Sequence, residues 1–286
     1  MVKIFAVLLA LILALSTFGA FSETKPVYLA LGDSITTGYG LKDNEKSFPE
    51  IVAEDYGYTL YNYAVNGNTA PGILQQIADP ALLEVAAKAE VITITCGGND
   101  LMGVLYQAVA DIYNAVMPEA LWIQPGDILM ILSNPAEPRY QGVMLAAQTA
   151  LGGNEQLGIL PFTQSAEIES AMSDYLAQMG AIIMSIKEIN PNARIIVATQ
   201  YNPYRFFSGV LQGMNEAMEA GAQMLTSAIN SFSMFMGYEV ADVYTAFTAS
   251  EENLCNADMA TMNLDFHPNA KGHEVIAECV KTAIAY

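Results

Sequence analysis

Short apolar runs alternate with amphipathic stretches along most of this chain. Val27 to Leu31 holds five consecutive apolar residues and stops at Gly32, which suits a parallel strand covered on both faces better than a helix. Helical spacing follows over Ser47 to Tyr56, with Phe48, Ile51, Val52 and Tyr56 on one face and Gly57 as the stop. Thr59 to Val65 alternates and predicts a second strand, running into Asn66-Gly67-Asn68-Thr69. A helix begins near Pro71, Leu82 to Lys88 reads as helical, and the β-branched run Val91 to Cys96 predicts a third strand that breaks at Gly97-Gly98-Asn99-Asp100. Ser165 to Ile189 predicts a long helix with Glu167 and Glu169 in its first turn. Arg194 to Thr199 predicts a fourth strand, Met214 to Met236 a helix, Tyr238 to Val243 a fifth strand and Ala270 to Ala285 a closing helix. Strands alternating with helices in this way imply an α/β fold, a three-layer α/β/α sandwich with a five-stranded parallel sheet and right-handed crossovers.

Two stretches break that rhythm. From Leu101 to Pro161, Pro118, Pro125, Pro135, Pro138 and two glycine clusters separate apolar helical pieces. Residues 101–161 therefore read as a helical insertion beside the strand ends, with Met102, Met117, Met130 and Met144 either packed as core or walling an apolar pocket. At the start, Lys3 precedes an apolar run from Ile4 to Leu15, and Ala20-Phe21-Ser22 has small residues at signal-peptidase spacing. The expectation is a signal peptide at 1–22, a functional domain at 23–286 and secretion, with no stable membrane insertion after cleavage. The alternative is tethering by an uncleaved N-terminal helix, because apolar character runs on to Phe21. No cysteine lies near the cleavage point, so a lipoprotein anchor has no support.

Charge and cysteine usage narrow the chemistry. The formal charge is −19 for all 286 residues and becomes −20 without the first 22, which carry only Lys3. Such a chain repels phosphate backbones, so nucleic acid is excluded as a partner, while a small-molecule, lipid or glycan ester is accommodated. Three cysteines do not make a disulfide scaffold; Cys96 ends an apolar strand, and Cys255 and Cys279 are the one pair available for bridging. No cofactor or metal is expected. Both histidines, His267 and His273, lie in one segment without a cysteine cluster, and no phosphate-binding glycine loop precedes a lysine.

Ser34 follows the first strand, at the sheet edge where open α/β folds bind ligands. A serine hydroxyl needs a base, and histidine is the usual one. His267 precedes Pro268 and so lies on the approach to the last helix, whereas His273 falls within that helix, where a surface or capping role is expected. Acyl transfer also needs donors for a developing oxyanion, and Ser34 N–H, Gly67 N–H and the Asn99 amide, each after a different strand, are candidates. Each also has an ordinary turn or cap explanation; together they fill the roles the reaction requires.

Gly32-Asp33-Ser34, Gly67 in Asn66-Gly67-Asn68, Gly97-Gly98-Asn99-Asp100, and Asp265 with His267-Pro268 give the chain four blocks, in order and after strands. In these it resembles the SGNH hydrolases, the GDSL lipase/esterase family, over nearly the whole mature chain; Tyr201-Asn202-Pro203 resembles the lysophospholipase-like secreted branch. The resemblance implies a flavodoxin-like sheet, Ser34 as nucleophile, His267 as base, and Gly67 and Asn99 beside Ser34 in the oxyanion hole. One block departs from the family's Asp-x-x-His, since Asp265 stands two residues before His267 and Leu264 three before. Either Asp265 orients the imidazole or a main-chain carbonyl does, leaving a dyad; Asp258 and Asp242 are poorer candidates. Gly152-Gly153-Asn154-Glu155 mimics the Asn99 block but follows an alanine-rich helical stretch and reads as a helix C-cap. Ser22-Glu23-Thr24-Lys25 mimics a serine-lysine motif at the cleavage point and is set aside. The resulting expectation is a secreted serine esterase or lipase on lipid-like esters or lysophospholipids. A carbohydrate deacetylase and a noncatalytic extracellular glycan- or lipid-binding protein are the alternatives.

Overall fold

The computed structural model describes residues 25–209 and 212–285. The expected signal peptide, its cleavage point and the Ser22-Glu23-Thr24 decoy lie outside them. Strand β1 (Val27–Leu31) pairs in parallel with β2 (Thr59–Asn62) on one side and β3 (Ala89–Ile94) on the other; β4 (Arg194–Ala198) and β5 (Glu239–Ala241) extend the β3 side. The order is β2-β1-β3-β4-β5. This is the flavodoxin-like arrangement, whose strand order reverses at β1/β3 and opens a crevice there.

The apolar run of β1 is buried on both sides, as its lack of polar alternation requires. Tyr28 and Ala30 enter the core under α2 (Phe48–Tyr56), α10 (Val243–Ala249) and α11 (Ala270–Ala285). Leu29 and Leu31 enter the opposite core, built with α3 (Ala70–Ile77), α4 (Pro80–Ala86), α5 (Gly98–Asn114), α6 (Ile128–Leu132), α7 (Tyr140–Gly152), α8 (Ala166–Ile189) and α9 (Gln212–Met236). A four-residue helix, α1 (Ser34–Thr37), follows β1 directly. The amino edge of the sheet is tied by Arg194. Its guanidinium donates to Glu239 through Nε at 2.9 Å and Nη2 at 2.7 Å, and to the Ala283 carbonyl at 3.0 Å at the end of α11.

Four expectations change. The second strand ends at Asn62 rather than Val65, because Asn62 Oδ1 turns back to accept the Ala64 N–H; Tyr63 and Val65 still donate to Ala30 and Gly32. The fifth strand ends at Ala241, since the Asp242 carboxylate accepts the Thr245 N–H and starts α10, a helix the apolar pattern did not announce. The expected polar turn at Gly97-Gly98-Asn99-Asp100 is one residue of left-handed backbone, Gly97, followed at once by α5. Cys255 and Cys279 do not bridge: both are free thiols, Cys255 buried and Cys279 lying 3.5 Å from the Asp242 carbonyl.

The insertion is a packed helical layer. Leu101, Leu105, Val109 and Tyr113 of α5 and Val143, Ala147 and Leu151 of α7 join the larger core. Of its methionines, Met117 and Met144 pack against the two cores, Met102 both packs against the larger core and lines one cavity at Ser34, and Met130 lines the other.

Candidate active site

Ser34 is held by what precedes it. Gly32 has φ +144°, and a Cβ there would sit 2.2 Å from Thr95 Oγ1, so only glycine lets β1 approach the end of β3 this closely. The next residue, Asp33, caps α1 by accepting the Ile35 N–H at 3.0 Å and also accepts the Thr95 hydroxyl at 2.9 Å. Thr36 Oγ1 lies 2.8 Å from Thr95 Oγ1 and completes a buried polar knot below the serine. Burial pushes the Asp33 carboxyl up to about 6, with the Ile35 and Thr95 hydrogen bonds opposing the rise. Ser34 thus sits on the first turn of a helix fixed to two strands, its surface 7% exposed.

His267 reaches it from the far end of the sequence. Its Nε2 lies 2.9 Å from Ser34 Oγ, and its Nδ1 lies 2.5 Å from Asp265 Oδ1. Partial burial works to raise the Asp265 carboxyl, but hydrogen bonds from the His267 ring and backbone and from Asn256 outweigh it and hold the group below its ordinary value. Asp265 is therefore a carboxylate and only accepts, which puts the imidazole proton on Nδ1 and leaves Nε2 to accept from the Ser34 hydroxyl. Tyr39 and Phe266 flank the imidazole, with ring centroids 4.6 and 4.4 Å from it.

The two-residue spacing thus brings a carboxylate to the ring. Asp265 Oδ1 accepts the His267 backbone N–H at 3.2 Å as well as the ring contact, so the local turn and the side-chain pair share one oxygen. The other acids are engaged elsewhere: Asp242 caps α10, and Asp258 accepts from Ala260 N and Thr261 Oγ1 in its own loop.

Gly67 and Asn99 line the same groove as Ser34. Gly67 occupies a turn closed by Asn68 N–H donating to the Val65 carbonyl, at φ +76°. Asn99 Nδ2 donates to the Asn68 carbonyl at 2.8 Å, which uses one of its two amide hydrogens. Among the described residues, neither Ser34 N–H nor Gly67 N–H donates to a protein acceptor. The three residues that carry these donors therefore border one groove beside the hydroxyl.

Sequence reading missed the ties between these loops. Asp100 accepts the Ala70 N–H at 3.1 and 3.2 Å and so caps α3, Thr37 Oγ1 donates to Asn66 Oδ1 at 2.6 Å, and Asn256 Nδ2 donates to Asp265 Oδ2 at 3.1 Å. Asp100 and Asn66 carried a signal, as neighbours of Asn99 and Gly67; Thr37 and Asn256 carried none. His273 departs from the surface role: it is fully buried, and its Nδ1 accepts the Phe48 N–H at 3.2 Å, so its capping is done inside the core at the start of α2. The Gly152-Gly153 decoy is a helix end, with Gly153 at φ +76° capping α7. Among the described residues no group of three or more His, Cys, Asp or Glu side chains is placed to hold a metal ion.

A 2-1-3-4-5 parallel sheet with a serine, histidine and aspartate hydrogen-bonded in series at its carboxyl edge defines the SGNH class of α/β hydrolases. The chain belongs to the GDSL-like Lipase/Acylhydrolase family, which matches residues 30–275. It is similar to YpmR of Bacillus subtilis, at 24% identity over 99% of this chain and 96% of the relative. The spore germination lipase LipC of Bacillus licheniformis is 23% identical over 90% of this chain and 95% of its own. Among solved structures, the phospholipase A1 of Streptomyces albidoflavus has the same fold, with a TM-score of 0.58, 18% identity, and coverage of 91% of this chain and 100% of its own. The family makes this chain a hydrolase acting on esters.

Proposed function

We propose that the protein is a secreted serine esterase or lipase that cleaves carboxylic esters through an acyl-enzyme on Ser34. The observation that carries this reading is the unbroken hydrogen-bond series from Ser34 Oγ through His267 to Asp265. In the first step His267 Nε2 takes the Ser34 proton as Oγ attacks the ester carbonyl, and Asp265 stabilises the imidazolium that forms. Ser34 N–H, Gly67 N–H and the second Asn99 amide hydrogen stabilise the oxyanion. The imidazolium then gives its proton to the departing alcohol. Water, activated by the same imidazole, attacks the acyl carbon and restores Ser34. Lipid-like esters, lysophospholipids included, fit better than acetylated glycans, because the cavity beside Ser34 is walled by apolar side chains such as Leu101, Met102 and Leu225. Export rests on the apolar run after Lys3 and the small residues at Ala20 and Ser22.

Ser34→Ala tests the reading. The variant is expected to keep its fold, to lose labelling by a fluorophosphonate and to lose ester hydrolysis. Labelling that persists in the folded variant would move the nucleophile elsewhere. A mature N-terminus at residue 23, read by mass spectrometry from protein in the culture medium, is the matching result for export; an intact N-terminal segment on membranes would replace it with tethering.

A further inference from the structure

Ser34 stands between two different spaces. On one side lies an open groove whose lining includes Asn66, Ser133 and Asn263. On the other lies a narrower cavity between the strand ends and α9. Ser34, Asn99 and Phe266 border both. We propose that the cavity receives the acyl chain of the ester, that the groove receives the alcohol, and that Gly221 sets the chain length accepted. This rests on the acyl-enzyme reading above.

The cavity has little to offer a polar ligand beyond the end that holds Asp33, Ser34 and Asn99. Tyr201 and Tyr204 turn their hydroxyls to the Phe266 and Leu264 carbonyls at 3.1 and 2.8 Å, and the Gln200 amide donates to the Cys96 carbonyl at 3.0 Å. Those polar atoms are already paired, so a sugar hydroxyl or phosphate placed against them would lose its water without replacement. An alkyl chain loses nothing of that kind and gains from leaving water.

Helix α9 supplies the wall opposite Ser34 through Ala217, Met218, Gly221, Ala222 and Leu225, the stripe that helical geometry puts on one face. Gly221 is the unusual member. It sits mid-helix, where glycine is less favourable than alanine, and a Cβ built on it meets nothing within 4 Å. Packing therefore does not demand glycine there. What its missing side chain leaves is room in the cavity.

Wild type, Gly221→Ala and Gly221→Leu are to be compared on p-nitrophenyl acetate and p-nitrophenyl octanoate, with melting curves and labelling by a small ethyl fluorophosphonate. Acetate kcat/KM is expected to stay within ~2-fold, while octanoate kcat/KM falls by ~10-fold or more in Gly221→Leu and by less in Gly221→Ala. Labelling at Ser34 should persist in both, and the melting temperature of Gly221→Ala should rise by roughly 1 to 3 °C, because the helix improves as the cavity shrinks. A folded Gly221→Leu with unchanged octanoate activity, or with acetate and octanoate falling equally, would overturn the assignment. Wild type that is not labelled at Ser34 would instead sink the acyl-enzyme reading, a different result from a lost chain-length preference.

Separate contacts single out Asn256, which we infer to be a positioning residue for Asp265 and His267. Its side-chain amide holds Asp265 Oδ2 at 3.1 Å, and its backbone N–H donates to the His267 carbonyl at 2.8 Å. Asp265 Oδ1 is fully used by His267, so Asn256 holds the oxygen that the short spacing leaves free. Gly40 closes over the contact, where a Cβ would come 2.8 Å from Asn256 Nδ2. Asn256→Ala is expected to lower kcat by ~10-fold with KM little changed, the signature of an interaction that matters in the transition state. Asn256→Asp, which places a second carboxylate beside Asp265, should move the acid limb of the kcat/KM profile upward by roughly 0.5 to 1 pH unit. An acid limb that stays in place in folded Asn256→Asp, or full kcat in Asn256→Ala, would refute the role.

Discussion

One carboxylate oxygen at Asp265 does two jobs. It closes a turn on the His267 N–H and holds the imidazole, so the carboxylate reaches the ring with one intervening residue instead of two. Asp265→Asn should keep the fold and cut kcat by roughly 10²- to 10⁴-fold, because an amide at that place favours the wrong imidazole tautomer. His267→Asn should do at least as much damage. Asp265→Asn within a few-fold of wild type, with His267→Asn inactive, would mean that a main-chain carbonyl orients the ring. Asn99→Ala, measured on the same short ester, should lower kcat by roughly 10²- to 10³-fold with KM less affected; an unchanged kcat in a reaction limited by chemistry would remove Asn99 from the oxyanion site. Ser34 and His267 were legible because chemistry needs a hydroxyl and a base, and only two histidines were available. Thr95 and Asn256 were not. Thr95 acts through side-chain hydrogen bonds to Asp33 and Thr36, far back along the chain, and Asn256 through one to Asp265 across a loop; such bonds leave no period or spacing behind.

Elements were legible where an apolar period is long or capped at both ends. Helix α2 begins after its Ser47-to-Glu50 capping box and ends at Gly57, and α11 runs from Ala270 to Ala285 as the spacing indicates. Helix α10 was not legible, because seven residues with a single capping Asp242 look like the tail of a strand. The role of His273 depends on a neighbour that its own helix does not reveal. Its ring accepts from the N-terminus of α2 inside the core, and burial lowers its pKa to about 4. The unfolded chain takes up that proton below its ordinary value near 6.5, whereas the native state resists until about 4, so stability falls as pH falls through this window. Relative to His273→Asn, whose side-chain oxygen can still accept from Phe48, wild type should lose on the order of 3 kcal/mol between pH 6.5 and 4 in urea unfolding. Asp33 has the opposite sign. Its native pKa near 6 exceeds the unfolded value of 3.8, so the native state holds more protons in between and stability falls as pH rises through that range. Against Asp33→Asn, wild type should therefore gain stability as pH drops from 6 to 4. Differences that stay flat with pH would contradict both assignments.

At the scale of the molecule, the strand order places the chemistry. The crevice opens beyond the carboxyl ends of β1 and β3, where the strand order reverses, and the segments after them carry Ser34 and Asn99; the Gly67 loop after β2 and the His267 loop close on the same space. Alternation of strands and helices made the three-layer fold readable, since a sheet buried on both faces has few other arrangements. It did not tell which insertion methionines face the site, because core and cavity walls share the same apolar spacing. The account's central claim is that an ester carbon becomes bonded to Ser34 during turnover. Rapid acid quench of the enzyme turning over p-nitrophenyl octanoate, followed by peptide mass spectrometry, tests this most directly. The account predicts one octanoyl group per chain on the peptide that contains Ser34 and none in Ser34→Ala. An acyl group on any other residue, or none under conditions where deacylation is shown to be rate-limiting, would contradict it.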